Sequence, residues 1–422
     1  MYESYHSTWL RNKACVEVME QIKAEDHNTN YICIGPVNKT LNMLCVFYDS
    51  GSDSEAFKRH EDRLDDYLWM GVDGMKMQGY NGSQMWDTAF SAQAVIHSGV
   101  VSKYQPMMEQ LYDFLDVTQV KEEVPNPDRY YRHVSVGAWP FSTRDHGWPI
   151  SDCTAEGLKT ILSLHNLPKD QFSPKRRIAD ERLFNAANVI LTLQNPSSGG
   201  WATYENMRTG GWLESINPSE TFHGIMVDYP YVECTSACVQ ALTAFKQNYP
   251  EHRTSEIEKA IATGMTYIKS IQRPDGSWKG SWGVCFTYAV WFGVEAMVAV
   301  GETLSQSAEM RNACQFLLDK QNEDGGWGES FQSCVEMEWV PHVDGSQVVN
   351  TAWALLALQM AKHPNKQAID RGLDYLRLMQ LPNGDWVQEG VSGVFNANCA
   401  ISYSGYKNIF PIWALGTALR HK

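Results

Sequence analysis

The chain's chemistry is concentrated where one acid stands among aromatic rings and thiols. Residues 137–156 read GAWPFSTRDHGWPISDCTAE, with Trp139, Phe141 and Trp148 leading up to Asp152 and Cys153. Pro149 restricts the backbone and Ser151 offers an acceptor for free N–H groups, which predicts a helix start. From Asp152 the run DCTAEGLKTILSLH places Leu158, Ile161, Leu162 and Leu164 on one apolar stripe. Asp152 and Glu156, four residues apart, share a face of that helix. Burial among rings penalises the charged form of a carboxyl and so raises its pKa. A helix N-terminus pulls the other way, but by only about 0.3–1 kcal/mol, so burial is expected to win. The chemistry implied is proton delivery into an apolar pocket.

The elements that must position this acid are helices. A motif recurs in which a helical segment ends in Gln, a short turn follows and a Trp closes the unit. Its copies are QNPSSGGW (194–201), QRPDGSW (272–278), QNEDGGW (321–327) and QLPNGDW (380–386), with an expanded fifth copy predicted from Gln119 to Trp148. Asp-Gly and Asn-Gly supply turns of positive φ, and the Trp residues read as staples between helices. Spacings of roughly fifty to eighty residues suit helix pairs with variable loops better than a short-unit solenoid. Alternating helix pairs close most economically into a ring of inner and outer helices. Before the repeats, helical segments are predicted at about 7–22, 37–48 and 54–68, followed by a Gly- and Met-rich connector over 66–84. Strand signals are weak throughout.

Composition narrows the function classes. The chain has 422 residues, 43% of them hydrophobic and 20% charged, which is the balance of a globular protein. A net charge of −14 without a dense Lys/Arg cluster argues against nucleic acid as a partner. The ten cysteines are scattered, without a CxxC pair, and read as reduced thiols. No secretory signal and no membrane-spanning run is read; the most apolar stretch, 286–300, is interrupted by Glu295.

The DCTAE at 152–156 and the Gln…Trp repeats together resemble the oxidosqualene cyclases, the sterol and triterpene cyclases. Further matching blocks are MQGYNGSQMWDTAF (77–90), GGWATYE (199–205), PYVECTSA (230–237), GSWGVCFTYAVWFG (280–293), GVFNANCAISY (393–403) and YKNIFPIWALG (406–416). The resemblance spans essentially the whole chain and implies an all-α fold built of α/α barrels. It implies that residues 66–422 are the C-terminal catalytic barrel and residues 1–65 a remnant of the other barrel. It further implies that this sequence lacks the family's strand-bearing N-terminal segment, its membrane-inserting helix, and the N-terminal His of the animal and fungal enzymes.

The resemblance also assigns roles. Asp152 is implied as the acid that protonates the epoxide of 2,3-oxidosqualene, with Cys153 and Cys234 as thiol partners and Glu156 behind it to help restore its proton. Trp86, Phe141, Tyr204, Phe222, Trp282, Tyr288 and Phe395 are implied as the π faces that steady cationic intermediates, each worth roughly 0.5–2 kcal/mol. Tyr204 is also implied in the final proton loss. His146 and Ile150 bear on the product, in a stretch more similar to cycloartenol-type than to lanosterol-type enzymes. Acid–base groups and ring faces suffice for an isomerisation, so neither cofactor nor metal is called for. Peripheral attachment at the endoplasmic reticulum surface or a lipid droplet is the family expectation. Squalene–hopene cyclase is disfavoured because DCTAE lacks a multi-Asp acid motif. A prenyltransferase β subunit is disfavoured by the absence of zinc-ligand spacing, and an α/α-barrel glycosidase by the aromatic surroundings of Asp152. A second class stays open: a non-catalytic barrel that binds sterol precursors or partners another subunit.

Overall fold

Burial divides the long helices into two kinds, and that division builds the barrel. The computed structural model describes residues 5–71, 74–217, 224–395 and 399–420. In chain order, helices α1 (Thr8–Asn28), α2 (Pro36–Ser50) and α3 (Glu55–Glu61) precede an antiparallel hairpin of β1 (Leu68–Gly71) and β2 (Gly74–Met77). There follow α4 (Gln84–His97), α5 (Gln105–Thr118), α6 (Ser151–His165), α7 (Asp180–Thr192), α8 (Val232–Asn248), α9 (Thr254–Ser270), α10 (Phe286–Ala299) and α11 (Ala308–Asp319). The short α12 (Gln332–Glu336), α13 (Val348–Met360) and α14 (Lys366–Leu378) lead to a second hairpin and the last helix. These are β3 (Gly393–Phe395), β4 (Cys399–Ile401) and α15 (Tyr406–Arg420).

Twelve of the fourteen residues of α10 are buried, against five of thirteen in α14. A helix buried all round belongs inside a ring, and one with a single apolar stripe belongs outside it. Accordingly α4, α6, α8, α10, α13 and α15 pack each on the next, and α15 closes back on α4. Helices α5, α7, α9, α11 and α14 lie outside; α5 packs on α4, and each of the others packs on the two inner helices that flank it in sequence. This is the all-α, α/α-barrel fold the repeats predict. The interruption of the apolar run at Glu295 is met from the opposite side, because Lys159 of α6 lies 3.6 Å from its carboxylate.

The repeat has a defined mechanical role. Gln194, Gln272 and Gln321 each donate their amide both to a glycine carbonyl in their own turn and to the next outer helix, while Gln380 donates to Gly384 O of its own turn. Gln272 reaches Gly276 O and Glu309 O at 2.9 Å each, and Gln321 reaches Gly325 O at 2.7 Å and Ala368 O at 2.8 Å. Each closing indole is buried and donates to a carbonyl at the end of the preceding outer helix: Trp201 to Ile190, Trp278 to Ile268, Trp327 to Leu317 and Trp386 to Leu376, at 2.7–2.9 Å. The turn glycines Gly276, Gly325 and Gly384 have φ of +87°, +91° and +87°, as Asp-Gly and Asn-Gly demand. The fifth copy needs correction. Its closing residue is Trp139, buried and donating to Leu115 O at 2.8 Å, while Gln119 bonds Gly137 O. Trp148 instead is partly exposed, donates to Glu25 Oε1 at 3.1 Å and lies under the Arg132 guanidinium at 3.8 Å.

Helices α1–α3 lie beside the barrel and are tied to it by Arg129 with Glu17 and Glu20, and by Arg63 with Asp145. The Gly- and Met-rich connector contains the β1–β2 hairpin, which its sequence did not announce. Among the described residues no helix is long and apolar enough to cross a membrane.

Candidate active site

Loops leading into the inner helices, with the first turns of those helices, line a narrow cavity with room for about 30 Å³ of water-sized content. Eight of its twelve lining residues are aromatic, and Asp152 is the one carboxyl among the described residues that line it.

Asp152 sits in the first turn of α6 and is 6% exposed. Its Oδ1 accepts the N–H of Cys153 at 2.8 Å. Burial pushes its pKa up to about 7; the Cys153 N–H and the Cys234 thiol oppose this, while the charges of Glu233 and Glu156 add to it. Burial thus carries much of the protonated form of this carboxyl up toward neutral pH. Ser151 does not cap the helix as its type predicts. Its N–H donates to Thr203 O at 2.8 Å and its hydroxyl to Ala202 O at 2.5 Å, locking α6 to the loop of the next repeat.

Cys153 and Cys234 are buried and hydrogen-bonded to the acid, and burial holds both thiols well above their ordinary pKa, so they stay neutral. Cys238, one turn beyond Cys234, is held likewise and donates to Ser151 O. Glu156 is fully buried, but its carboxylate is engaged: Gln93 donates to it at 2.6 Å and Lys159 at 3.0 Å. Lys159 also reaches Gln240 and Glu295, so the five side chains form one polar network behind the acid.

Of the other sequence-implied residues, Trp86, Phe141, Ile150, Tyr204, Trp282 and Tyr288 line the cavity. Phe395 does not, but packs on Trp282 with ring centroids 5.1 Å apart. His146 is buried behind Tyr80 at 5.8 Å, and burial lowers its pKa to about 3, so it is neutral. Phe222 lies outside the described residues. Four aromatic or polar lining residues escaped the sequence reading: Tyr80, Thr203, Tyr403 and Tyr406. Tyr403 and Tyr406 stack at 4.3 Å, and the Tyr406 hydroxyl accepts from Trp86 Nε1 at 2.7 Å. Thr203 accepts from Trp282 Nε1 at 2.9 Å and contacts the Cys234 sulfur at 3.6 Å. All four stand in or beside blocks that carry the resemblance, but nothing in their spacing sets them apart from core residues.

Away from the cavity, Asp26, Cys33 and His60 bring possible metal-ligand atoms within 4.8 Å of one another. Their bonds are internal, with His60 Nε2 at 3.1 Å from Asp26 and the Lys39 ammonium at 3.0 Å from His60 Nδ1. That ammonium opposes a second cation, and the cluster reads as a polar knot joining α1, α2 and α3.

The solved structures that share this barrel of paired helices include terpene cyclases. The ent-copalyl diphosphate synthase of Streptomyces platensis superposes with a TM-score of 0.57 at 15% identity, covering 87% of this chain and 55% of that one. The type II terpene cyclase MstE of Scytonema gives 0.55 at 15% identity, covering 94% and 100%. At that identity the likeness shows the fold. The sequence family described as the squalene-hopene cyclase C-terminal domain matches residues 82–420, and the chain belongs to it. It is 57% identical to the cycloartenol synthase of Dictyostelium discoideum over 98% of its own length and 58% of that protein's. It is 49% identical to human lanosterol synthase over 99% of its length and 57% of that protein's. The chain thus spans less than two thirds of these relatives.

Proposed function

We propose that the chain carries the catalytic barrel of an oxidosqualene cyclase, an isomerase that folds (S)-2,3-epoxysqualene into a tetracyclic sterol precursor. The observation that carries this reading is Asp152: the one carboxyl on a cavity walled mainly by rings, where burial pushes its pKa up to about 7. Asp152 gives its proton to the epoxide oxygen, the C–O bond breaks, and the neighbouring double bond supplies the electrons that close the first ring. The positive charge then moves along the folded chain past Trp86, Phe141, Trp282 and Tyr288, whose faces attract a cation without bonding to it. Phe395 buttresses Trp282, and Phe222 is assigned to the same wall by sequence alone. A proton is finally lost toward the Tyr204 hydroxyl, and the net change is isomerisation. Cys153 and Cys234 orient the acid as neutral donors. Glu156, committed to Lys159 and Gln93, acts on Asp152 through its charge and returns its proton only indirectly.

Among cycloartenol, lanosterol and parkeol, we favour cycloartenol, on the His146–Ile150 stretch and the higher identity to the Dictyostelium relative. The substrate dissolves in membranes, so we place the protein at an endoplasmic reticulum or lipid-droplet surface. The test incubates the full chain with 2,3-oxidosqualene and identifies products by mass spectrometry. A tetracyclic alcohol of unchanged mass is expected. Saturable binding of the substrate without conversion would instead favour the non-catalytic, sterol-precursor-binding reading.

A further inference from the structure

The loop that follows the first Gln…Trp turn joins several parts of the cavity wall through Thr203. The Thr203 carbonyl accepts the N–H of Ser151, where the helix of the acid begins, at 2.8 Å. Its hydroxyl accepts from Trp282 Nε1 at 2.9 Å and lies 3.6 Å from the Cys234 sulfur. The next residue, Tyr204, presents its ring to the cavity. A shift of this loop therefore moves two aromatic faces, a thiol and the start of α6 together. Residues 202–205 lie in neither helix nor strand, so their backbone N–H groups need acceptors from elsewhere. Asp228, in the loop entering α8, supplies them. Its Oδ2 accepts from Tyr204 N at 2.6 Å and from Glu205 N at 3.1 Å, and its Oδ1 takes the longer bond from Thr203 N at 3.4 Å. Three residues further on, Tyr231 N donates to Trp201 O at 3.0 Å, so the two loops are pinned at two points. Asp228 does not itself line the cavity.

We infer that Asp228 is a positioning residue for the cyclisation cavity: by accepting successive backbone N–H groups it fixes the loop that presents Tyr204 and, through Thr203, seats Trp282, Cys234 and the start of α6. This deepens the cyclase reading and rests on it for the reaction served. The role needs acceptor oxygens, not a charge. Burial pushes the Asp228 pKa up to about 7 against the pull of the three N–H groups. Both short bonds run to Oδ2, which stays an acceptor when a proton sits on Oδ1. Held in this way, Tyr204 keeps one place relative to the substrate, and the final proton is lost from one carbon. A loose loop would let the ring drift and blur that choice.

The test compares the full chain with Asp228→Asn, Asp228→Leu and Asp228→Ala. Asparagine keeps one oxygen for the two short bonds, leucine keeps the branched shape without an acceptor, and alanine removes both. The first readout is amide deuterium exchange, by mass spectrometry and without substrate, over residues 201–206. The turn at 321–327 serves as the control for general loss of stability. Exchange over 201–206 should speed up in Asp228→Leu and Asp228→Ala and stay slow in Asp228→Asn, with 321–327 unmoved in all three. With 2,3-oxidosqualene, Asp228→Leu should lower kcat about 10- to 100-fold, the penalty for displacing a group by about 1 Å, and add a second deprotonation isomer to the product. Unchanged exchange over 201–206 in Asp228→Leu and Asp228→Ala overturns the inference. So does equal acceleration in Asp228→Asn, or equal acceleration at the control turn. If the leucine and alanine variants do not fold, Asp228→Ser, whose single hydroxyl reaches fewer of the N–H groups, takes their place in the same comparison. Absence of turnover in the wild-type chain counts against the cyclase reading alone, since the exchange is independent of it.

Discussion

Replacing Gly293 by alanine sets two well-measured effects against each other. Helix propensity favours the alanine by about 0.8–1.0 kcal/mol. Packing opposes it: a Cβ at Gly293 would stand 2.8 Å from both Cε3 and Cζ3 of Trp278. The ring cannot retreat, because it is fully buried and its Nε1 is bonded to Ile268 O at 2.8 Å. Overpacking of this kind costs about 1–3 kcal/mol. The clash therefore wins, and Gly293→Ala should be destabilising by up to about 2 kcal/mol net. Urea unfolding followed by circular dichroism reads the change. Trp278→Phe removes the clashing edge, so in that background the same Gly→Ala change should lose its penalty and become neutral or stabilising. The coupling in this double-mutant cycle is the decisive quantity. If Gly293→Ala stabilises by its full propensity gain, and adds to Trp278→Phe without coupling, the account of the repeat as a staple seated on a glycine is refuted.

Other perturbations probe the site. Lys159→Met leaves Glu156 and Glu295 without their shared cation, and removing one partner of a buried pair costs about 3–5 kcal/mol; a loss below about 1 kcal/mol in urea unfolding would show the network to be solvated. Trp282→Leu removes one π face worth about 0.5–2 kcal/mol, so turnover of 2,3-oxidosqualene should fall about 2- to 30-fold without loss of the folded state by circular dichroism. Burial raises Asp152 from 3.8 to about 7, so its contribution to stability is complete below the lower value and is lost as pH rises through the upper one. The slope between those pH values should flatten in Asp152→Asn; an unchanged slope would place the effect on another group.

The fold was legible because the Gln…Trp repeat encodes both the turn and the staple, and the apolar texture of α10 and α13 separates inner from outer helices. The fifth repeat was misread because two tryptophans, Trp139 and Trp148, follow Gln119, and only packing shows which one reaches back to Leu115. The β1–β2 hairpin was invisible because glycine and methionine give no alternating pattern. Within the site, Asp152 and its thiols stood out by residue type and by resemblance. Tyr403 and Tyr406 did not, since they reach the cavity only when α15 closes the ring on α4. Helical spacing pairs Glu156 with Asp152. The spacing is right, but Lys159 and Gln93 come from the neighbouring turn and helix and claim its oxygens.

The protonation state of Asp152 in the folded chain is the most direct test. Isotope-edited infrared spectra, with Asp152→Asn as the blank, report whether the carboxyl carries its proton. The account predicts an acid form that persists at pH 6 and titrates at about 7. A carboxylate already formed at pH 5, as for an ordinary aspartate of pKa about 3.9, would contradict it.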